Sequence, residues 1–305
     1  MKEKIEEVGI HFSRRRSNRD KYRFMNRLVS QLKGGKLRLQ MLQEKKSRGG
    51  MSNHLVAGEP KKSRWIVMAS YDTGSKILNP CYEFTPLDSK HNFREEMKNV
   101  AGYSVLTLFV AVLAVVWTRN FPQYSMLWKV LTVLADLVVL GLVWRWMKKP
   151  DNKMNMNRNS GAVAVLYDCV EKARTGCFVF VDRAVMSNEG FYELVPKFGR
   201  QPVLILESIA SGEELFLAFR KGQEKKADEI VRSLECEVHL LALDEEAYKN
   251  TPLEGFENGF MLARGSLKKG TVRVKNVRNG KDFEMDLEQM QKIEEGILRL
   301  TANKF

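Results

Sequence analysis

The stretch that decides the fold is RWIVMASYDTGSK, residues 64–76. Trp65, Ile66, Val67, Met68 and Ala69 run without a break, and Ser70, Tyr71 and Asp72 lead out of the run into a polar turn. A short apolar run bounded by turn residues reads as a strand buried on both faces. A carboxylate at the end of such a strand, here Asp72, is a common place for chemistry.

Working outward, SNHLVAGE (52–59) reads as a second strand joined to the first by the turn PKKS. Residues 19–33 place Tyr22, Met25, Leu28 and Leu32 on one helical face, which Gly34 and Gly35 close. From Ser160 onward helical and strand patterns alternate: a helix in SGAVAVLYDCVEKAR, a strand in CFVFVDRA, a helix in NEGFYELVPKFG, strands in PVLILESIA and ELFLAFRK. A helix in KKADEIVRSLE, a strand in VHLLAL, late strands in GFMLARGSL and GTVRVKNV and a closing helix after Asp286 follow. This order predicts an α/β fold: a mostly parallel mixed sheet with helices on both faces.

Between the two halves lie two long apolar segments. Residues 100–118 (VAGYSVLTLFVAVLAVVWT) carry no charge, and residues 126–146 (MLWKVLTVLADLVVLGLVWRW) follow a short turn containing Pro122. Nineteen helical residues span about 28 Å, one hydrocarbon core. Trp117, Trp128, Trp144 and Trp146 sit at the segment ends, where an amphipathic ring prefers the membrane interface. The expectation is a transmembrane hairpin inserted after the second strand. The domain plan is a basic arm (1–18), the first part of the α/β domain (19–98), the hairpin (99–147) and the second part (148–305). Lys90, Arg94 and Lys98 precede the first span and Arg145, Lys148, Lys149 and Lys153 follow the second, while the loop between them holds Arg119. Positive flanks stay inside, so the soluble domain and both termini are expected in the cytoplasm. Asp136 lies mid-span, with Lys129 two turns before it on the same face. An intramembrane carboxylate is costly. The bland role for Asp136 is a hydrogen bond to Tyr103, Ser104 or Thr107 of the first span, or to another copy of the hairpin.

The 305-residue chain carries 50 Lys+Arg against 37 Asp+Glu, a net charge of +13. Residues 1–50 hold 15 of the basic residues and 5 of the acidic ones. Such an arm is either a solvated leader or a partner for anionic lipid headgroups; nucleic acid is not expected, since no aromatic-rich RNA-binding signature accompanies it. Cys81, Cys169, Cys177 and Cys236 have no metal-knuckle spacing. The first 50 residues lack an apolar run suited to a cleavable signal peptide.

The order of elements, with the phrases SNHLVAGE, MASYDT, NSGAVAVLYD, VLILES and MDLEQM, resembles the di-zinc aminopeptidase family, the zinc-exopeptidase fold of bacterial aminopeptidases and glutamate carboxypeptidase relatives. The resemblance implies two zinc ions that polarise a carbonyl and supply hydroxide. It also implies where their ligands would fall. The His of the His-x-Asp motif falls on Ser70, and the Asp that orients it is Asp72. The bridging Asp falls on Asn157, and the Glu-Glu pair falls near Arg183 and Ala184. The late acid is Glu207, and the late His would lie in residues 276–278, where none exists. His239, alone in the C-terminal half, reads as a packed strand residue. Of the implied metal ligands only Glu207 survives. Ser70, Asp72, Asn157, Arg158, Arg183 and Glu207 therefore read as a vestigial site, with no catalytic residue, no metal and no cofactor. Arg158 and Arg183 are expected either to pair with Asp72 and Glu207, replacing the metal charge, or simply to reach solvent.

The function this implies is a catalytically inactive, membrane-anchored peptidase-like module, a pseudoenzyme that binds or scaffolds on the cytoplasmic face. Its partners would be membrane lipid, a protein or peptide, or a second copy through the hairpin. One alternative is an active zinc hydrolase whose site is remodelled around Ser70, Tyr71, Asp72 and Glu207. Another is a membrane assembly or transport component that uses Asp136.

Overall fold

The computed structural model describes residues 1–45, 51–118, 123–147 and 151–302. Strand β3 (Ile66–Ser70) is the reference element, and its residues are buried on both faces. Side chains alternate across a strand, so Val67 and Ala69 enter one core while Ile66 and Met68 enter another. The same alternation splits β4 (Cys177–Val181) and β5 (Pro202–Glu207) between the two cores. Helices α2 (Asn18–Leu32), α5 (Gly161–Lys172), α7 (Glu224–Leu234) and α9 (Leu287–Ala302) cover the first face. Helices α6 (Glu189–Phe198) and α8 (Glu245–Lys249) cover the second.

The remaining strands are β1 (Leu39–Lys45), β2 (Met51–Gly58), β6 (Glu214–Arg220), β7 (His239–Leu243), β8 (Asn258–Lys268) and β9 (Thr271–Arg273). Among the described residues they form one mixed sheet of order β1-β2-β4-β3-β5-β8-β6-β7, with β9 on β8. The centre, β4-β3-β5-β8, is parallel, and β1, β2 and β6 add antiparallel pairs. The fold is therefore the mixed, doubly covered α/β sheet of the sequence reading. β4 pairs on one side of β3 and β5 on the other. The chain thus reverses direction across β3, and this leaves a crevice at the C-terminal ends of the parallel strands.

Three features differ from the sequence-based expectation. Strand β1 precedes the anticipated ones, so the hairpin follows the third strand. Its LQMLQEK sequence mixes polar and apolar residues at the sheet edge, which hides it from a search for apolar runs. The N-terminal arm is no solvated leader. Helix α1 (Lys2–Glu6) and a π-turn at Glu7–His11 pack on the core with Ile5 and Val8 buried. Of the basic run Arg14-Arg15-Arg16, Arg15 is fully buried. Its guanidinium donates to the carbonyls of Val8 (2.8 Å), Phe12 and Tyr71 and to Ser160 Oγ (2.8 Å). The third difference concerns His239, which is exposed and lies on the sheet's outermost strand rather than in a core.

Among the described residues two helices are long and apolar enough to cross a membrane: α3 (Ser89–Thr118) and α4 (Met126–Met147). They pack on each other, and their Leu108, Phe109, Leu134, Val138 and Leu140 are exposed, so they are not a buried soluble hairpin. Helix α3 starts well before the apolar run. Its first turns dock on the soluble domain through buried Glu96 and Asn99. Arg119, Pro122, Lys148 and Lys149, used above for topology, lie outside the described residues.

Replacing Arg15 by Ala strands several buried carbonyls, and charged hydrogen bonds contribute about 1.5–3 kcal/mol each. The expected outcome is a loss of at least ~3 kcal/mol in unfolding free energy for Arg15→Ala, against within ~0.5 kcal/mol for the exposed Arg14→Ala, read by urea titration of the detergent-solubilised chain.

Candidate functional site

The C-terminal ends of β3, β4 and β5 bring Ser70, Asp72, Asp182, Arg183 and Glu207 to one edge of the sheet. The π-turn Met156–Ser160, directly before α5, closes over that edge and delivers Asn157 and Arg158. Arg158 is the centre of the arrangement. It is 2% exposed and its guanidinium forms an ion pair with Glu207, which is 1% exposed. Nη2 also donates to Val185 O at 3.1 Å, and the group stacks 3.8 Å above the Phe84 ring. A carboxylate left alone at this depth would carry a large desolvation cost, and the guanidinium neutralises it. Burial still pushes the Glu207 carboxyl up, with Arg158 opposing the shift.

Asp72 is held differently. Its Oδ1 accepts from the backbone N–H groups of Ala184 (3.0 Å) and Val185 (3.3 Å). Burial raises its pKa, opposed by Lys21 and by these donors. Arg183, expected beside these acids, turns away to Glu189 at 3.1 Å and is partly exposed. Asn157 acts as a tie between loops: its Nδ2 donates to Lys275 O (3.0 Å) and its Oδ1 accepts from Ser211 N (3.2 Å). Ser70 is buried with its Oγ unpartnered, beside Asn159, whose Nδ2 donates to Ser70 O at 3.0 Å.

Two buried groups that the sequence reading missed complete the site. Arg278, in the segment where a late histidine was sought, donates to Glu96 of α3 at 2.8 Å and to Ser75 O at 2.8 Å. Asp282 accepts from the backbone N–H of Asn157 (2.7 Å), Arg158 (3.2 Å) and Arg278 (2.6 Å). It therefore pins the π-turn to the late loop. Its burial outweighs these donors and pushes its pKa up to about 7. A carboxylate four residues after Arg278 in a short polar loop was the available signal. Arg183, Ser208 and Arg278 all hold positive φ (57°, 51° and 55°), so strained backbone clusters at this edge.

The donor set does not fit a two-zinc centre. Glu207 is occupied by Arg158, and Asp72 Oδ1 by two backbone donors. The buried imidazole of His54 is used on strand β2: Nδ1 accepts from Asp182 N and Nε2 meets Glu193 Oε2, both at 3.2 Å. Among the described residues no three His, Cys, Asp or Glu side chains group to hold a metal.

Beside Arg158 opens a pocket of about 290 Å³. Phe84, Lys90, Phe93, Tyr192 and Lys249 line it with Arg158, so one wall is the start of α3. Of the intramembrane candidates, Lys129 and Asp136 lie on α4. Thr107 Oγ1 donates to Tyr103 O, Ser104 Oγ to Val100 O, and Tyr103 OH to Lys76 O. Asp136 thus receives none of the anticipated bonds and has no hydrogen-bond partner among the described residues.

No family model matches this chain, and no curated protein matches it in sequence. Its fold does match solved structures. A glutaminyl cyclase from Bacteroides thetaiotaomicron, bound to N-acetylhistamine, aligns over 100% of this chain and 95% of its own, at 10% identity and TM-score 0.54. The Macrostomum lignano glutaminyl cyclase aligns over 99% and 88%, at 10% identity and TM-score 0.54. A Zn-dependent exopeptidase from Parabacteroides distasonis aligns over 96% and 94%, at 11% identity and TM-score 0.49. At such identities the likeness is one of fold alone, shared with these glutaminyl cyclases.

Arg158→Met leaves Glu207 buried and uncompensated, so stability should fall by about 3–5 kcal/mol. The double variant Arg158→Met/Glu207→Leu should recover most of that loss in a denaturation cycle. Asp282 gives a pH test. A raised folded-state pKa means that its stabilising contribution is full below the unfolded value and is lost as pH rises through about 7. The stability advantage of wild type over Asp282→Asn should therefore be larger at acidic than at neutral pH; the opposite slope would mean that the three N–H donors outweigh burial.

Proposed function

We propose that this chain is a membrane-anchored binding module on the zinc-exopeptidase fold, one that does not hydrolyse peptides. The observation that supports this most directly is the guanidinium of Arg158 seated against Glu207, the one carboxylate that the resemblance would assign to a metal. A fixed cation there supplies charge balance for folding but neither a Lewis acid nor an activated water. The strand ends supply no nucleophile–base pair either, because Ser70 Oγ is buried without a hydrogen-bonded base.

The ligand of this module is a short anionic group, such as a peptide carboxylate, held in the pocket beside Arg158. Lys90, Lys249 and Glu254 line it, and Phe93 and Tyr192 supply apolar contact. The apolar parts of α3 and α4 cross the membrane and leave the soluble domain in the cytoplasm. Exposed Arg14, Arg19 and Arg23 then meet anionic headgroups, each contributing on the order of 1 kcal/mol near the surface.

Two measurements on the purified full chain test this reading. Metal analysis after zinc loading and desalting should find well below one equivalent, with no aminopeptidase or glutaminyl-cyclising turnover. Alkaline carbonate should leave the protein in the membrane pellet. Zinc near two equivalents together with turnover refutes the inactive reading; release by carbonate refutes the anchor.

A further inference from the structure

The non-exposed residues of α4 are Lys129, Thr132, Asp136, Val139 and Val143, at steps of three and four. This is the spacing of a helix–helix seam. The matching stripe on α3 contains Tyr103, Thr107, Val110, Ala114 and Thr118. Asp136 therefore sits in the groove of the hairpin, at the middle of α4, and it is only half-buried there. The hydroxyls nearest in kind are spent on their own helix backbones. What remains is a carboxylate, halfway across an apolar hairpin, with no donor among the described residues.

We propose that this groove is the docking site for a transmembrane helix of another protein, one that carries a Lys or Arg at the depth of Asp136. The inference rests on the hairpin spanning the membrane, as set out above. Charge complementarity selects the occupant. A second copy in the same orientation brings its own Asp136 to this depth and so adds a like charge. Its Lys129 lies seven residues away, about 10 Å along the axis. Helical side chains lean toward the N-terminus, so Lys129 leans away from Asp136 and toward the interface. An inverted copy is barred by the basic flanks. A cation from a third helix would satisfy the carboxylate beside the packed α3–α4 seam.

The test uses the full chain in phosphatidylcholine vesicles with a donor dye on the exposed Cys81. The probes are acceptor-labelled Leu/Ala transmembrane peptides: one with a central Lys, one wholly apolar, and one with the Lys displaced by two turns. Energy transfer should show the central-Lys peptide binding about tenfold tighter than either control. Asp136→Glu should retain that preference and Asp136→Leu should abolish it, with unchanged unfolding of the soluble domain in both variants. Equal binding of all peptides, or a preference that survives Asp136→Leu, overturns the proposal. Self-association of the chain that depends on Asp136 also overturns it, in favour of a second copy. Failure of the membrane reading looks different, because the protein then does not float with the vesicles.

Discussion

The buried pair of Arg158 and Glu207 is the constraint around which the crevice is organised. Four separate segments meet on that one guanidinium: the π-turn that carries it, the end of β5 through Glu207, the loop after β4 through Val185, and the segment before α3 through Phe84. A buried ion pair contributes little net stability against an apolar substitute, but losing one partner is expensive. Its consequence is therefore geometric. Asp282 reinforces it by collecting the N–H groups of Asn157, Arg158 and Arg278, so the site is a closed polar knot and not an open set of ligands.

The backbone and the side chains of this edge tell different stories. Arg183, Ser208 and Arg278 each occupy the left-handed region, which costs an L-residue roughly 1–2 kcal/mol. Such strain persists only where its surroundings enforce it. Ser208 shows how: its Oγ donates to Arg158 O at 3.1 Å, tying the turn after β5 to the π-turn. The strand-end turns thus keep sharp geometry that brings side chains inward, while the side chains they bring are arginine, asparagine and serine. Fold likeness to glutaminyl cyclases is a likeness of backbone and says nothing about these side chains.

Most of the sheet was legible in the sequence, because β3, β4 and β5 are buried on both faces and so read as unbroken apolar runs. Edge elements were not. β1 reads as half polar because it lies at the sheet edge with none of residues 39–44 buried, and His239 was misplaced because β7 ends the sheet with no further described strand beside it. Charge counting failed at Arg15, since composition cannot tell which arginine of a run of three turns into the core. Asp72, Glu207 and Arg158 were readable from their places at strand and helix ends. Glu96, Arg278 and Asp282 were not, because their partners lie far apart in sequence and only tertiary closure brings them together.

That last group joins the two parts of the molecule. Helix α3 is unbroken from Ser89, at the wall of the pocket, to Thr118, a length of about 45 Å. Near its start, Glu96 is fixed to Arg278, which also donates to Ser75 Oγ at 3.1 Å, while Asn99 Oδ1 accepts from Leu78 N at 2.9 Å. Arg278 and Arg158 share Asp282 through their backbone donors. The apolar hairpin is thus no loose tether. A shift of α3 along its axis has to break a buried ion pair or carry the late loop with it. In the second case it also moves the π-turn that positions Arg158. One unbroken helix thus belongs both to the pocket wall and to the apolar hairpin.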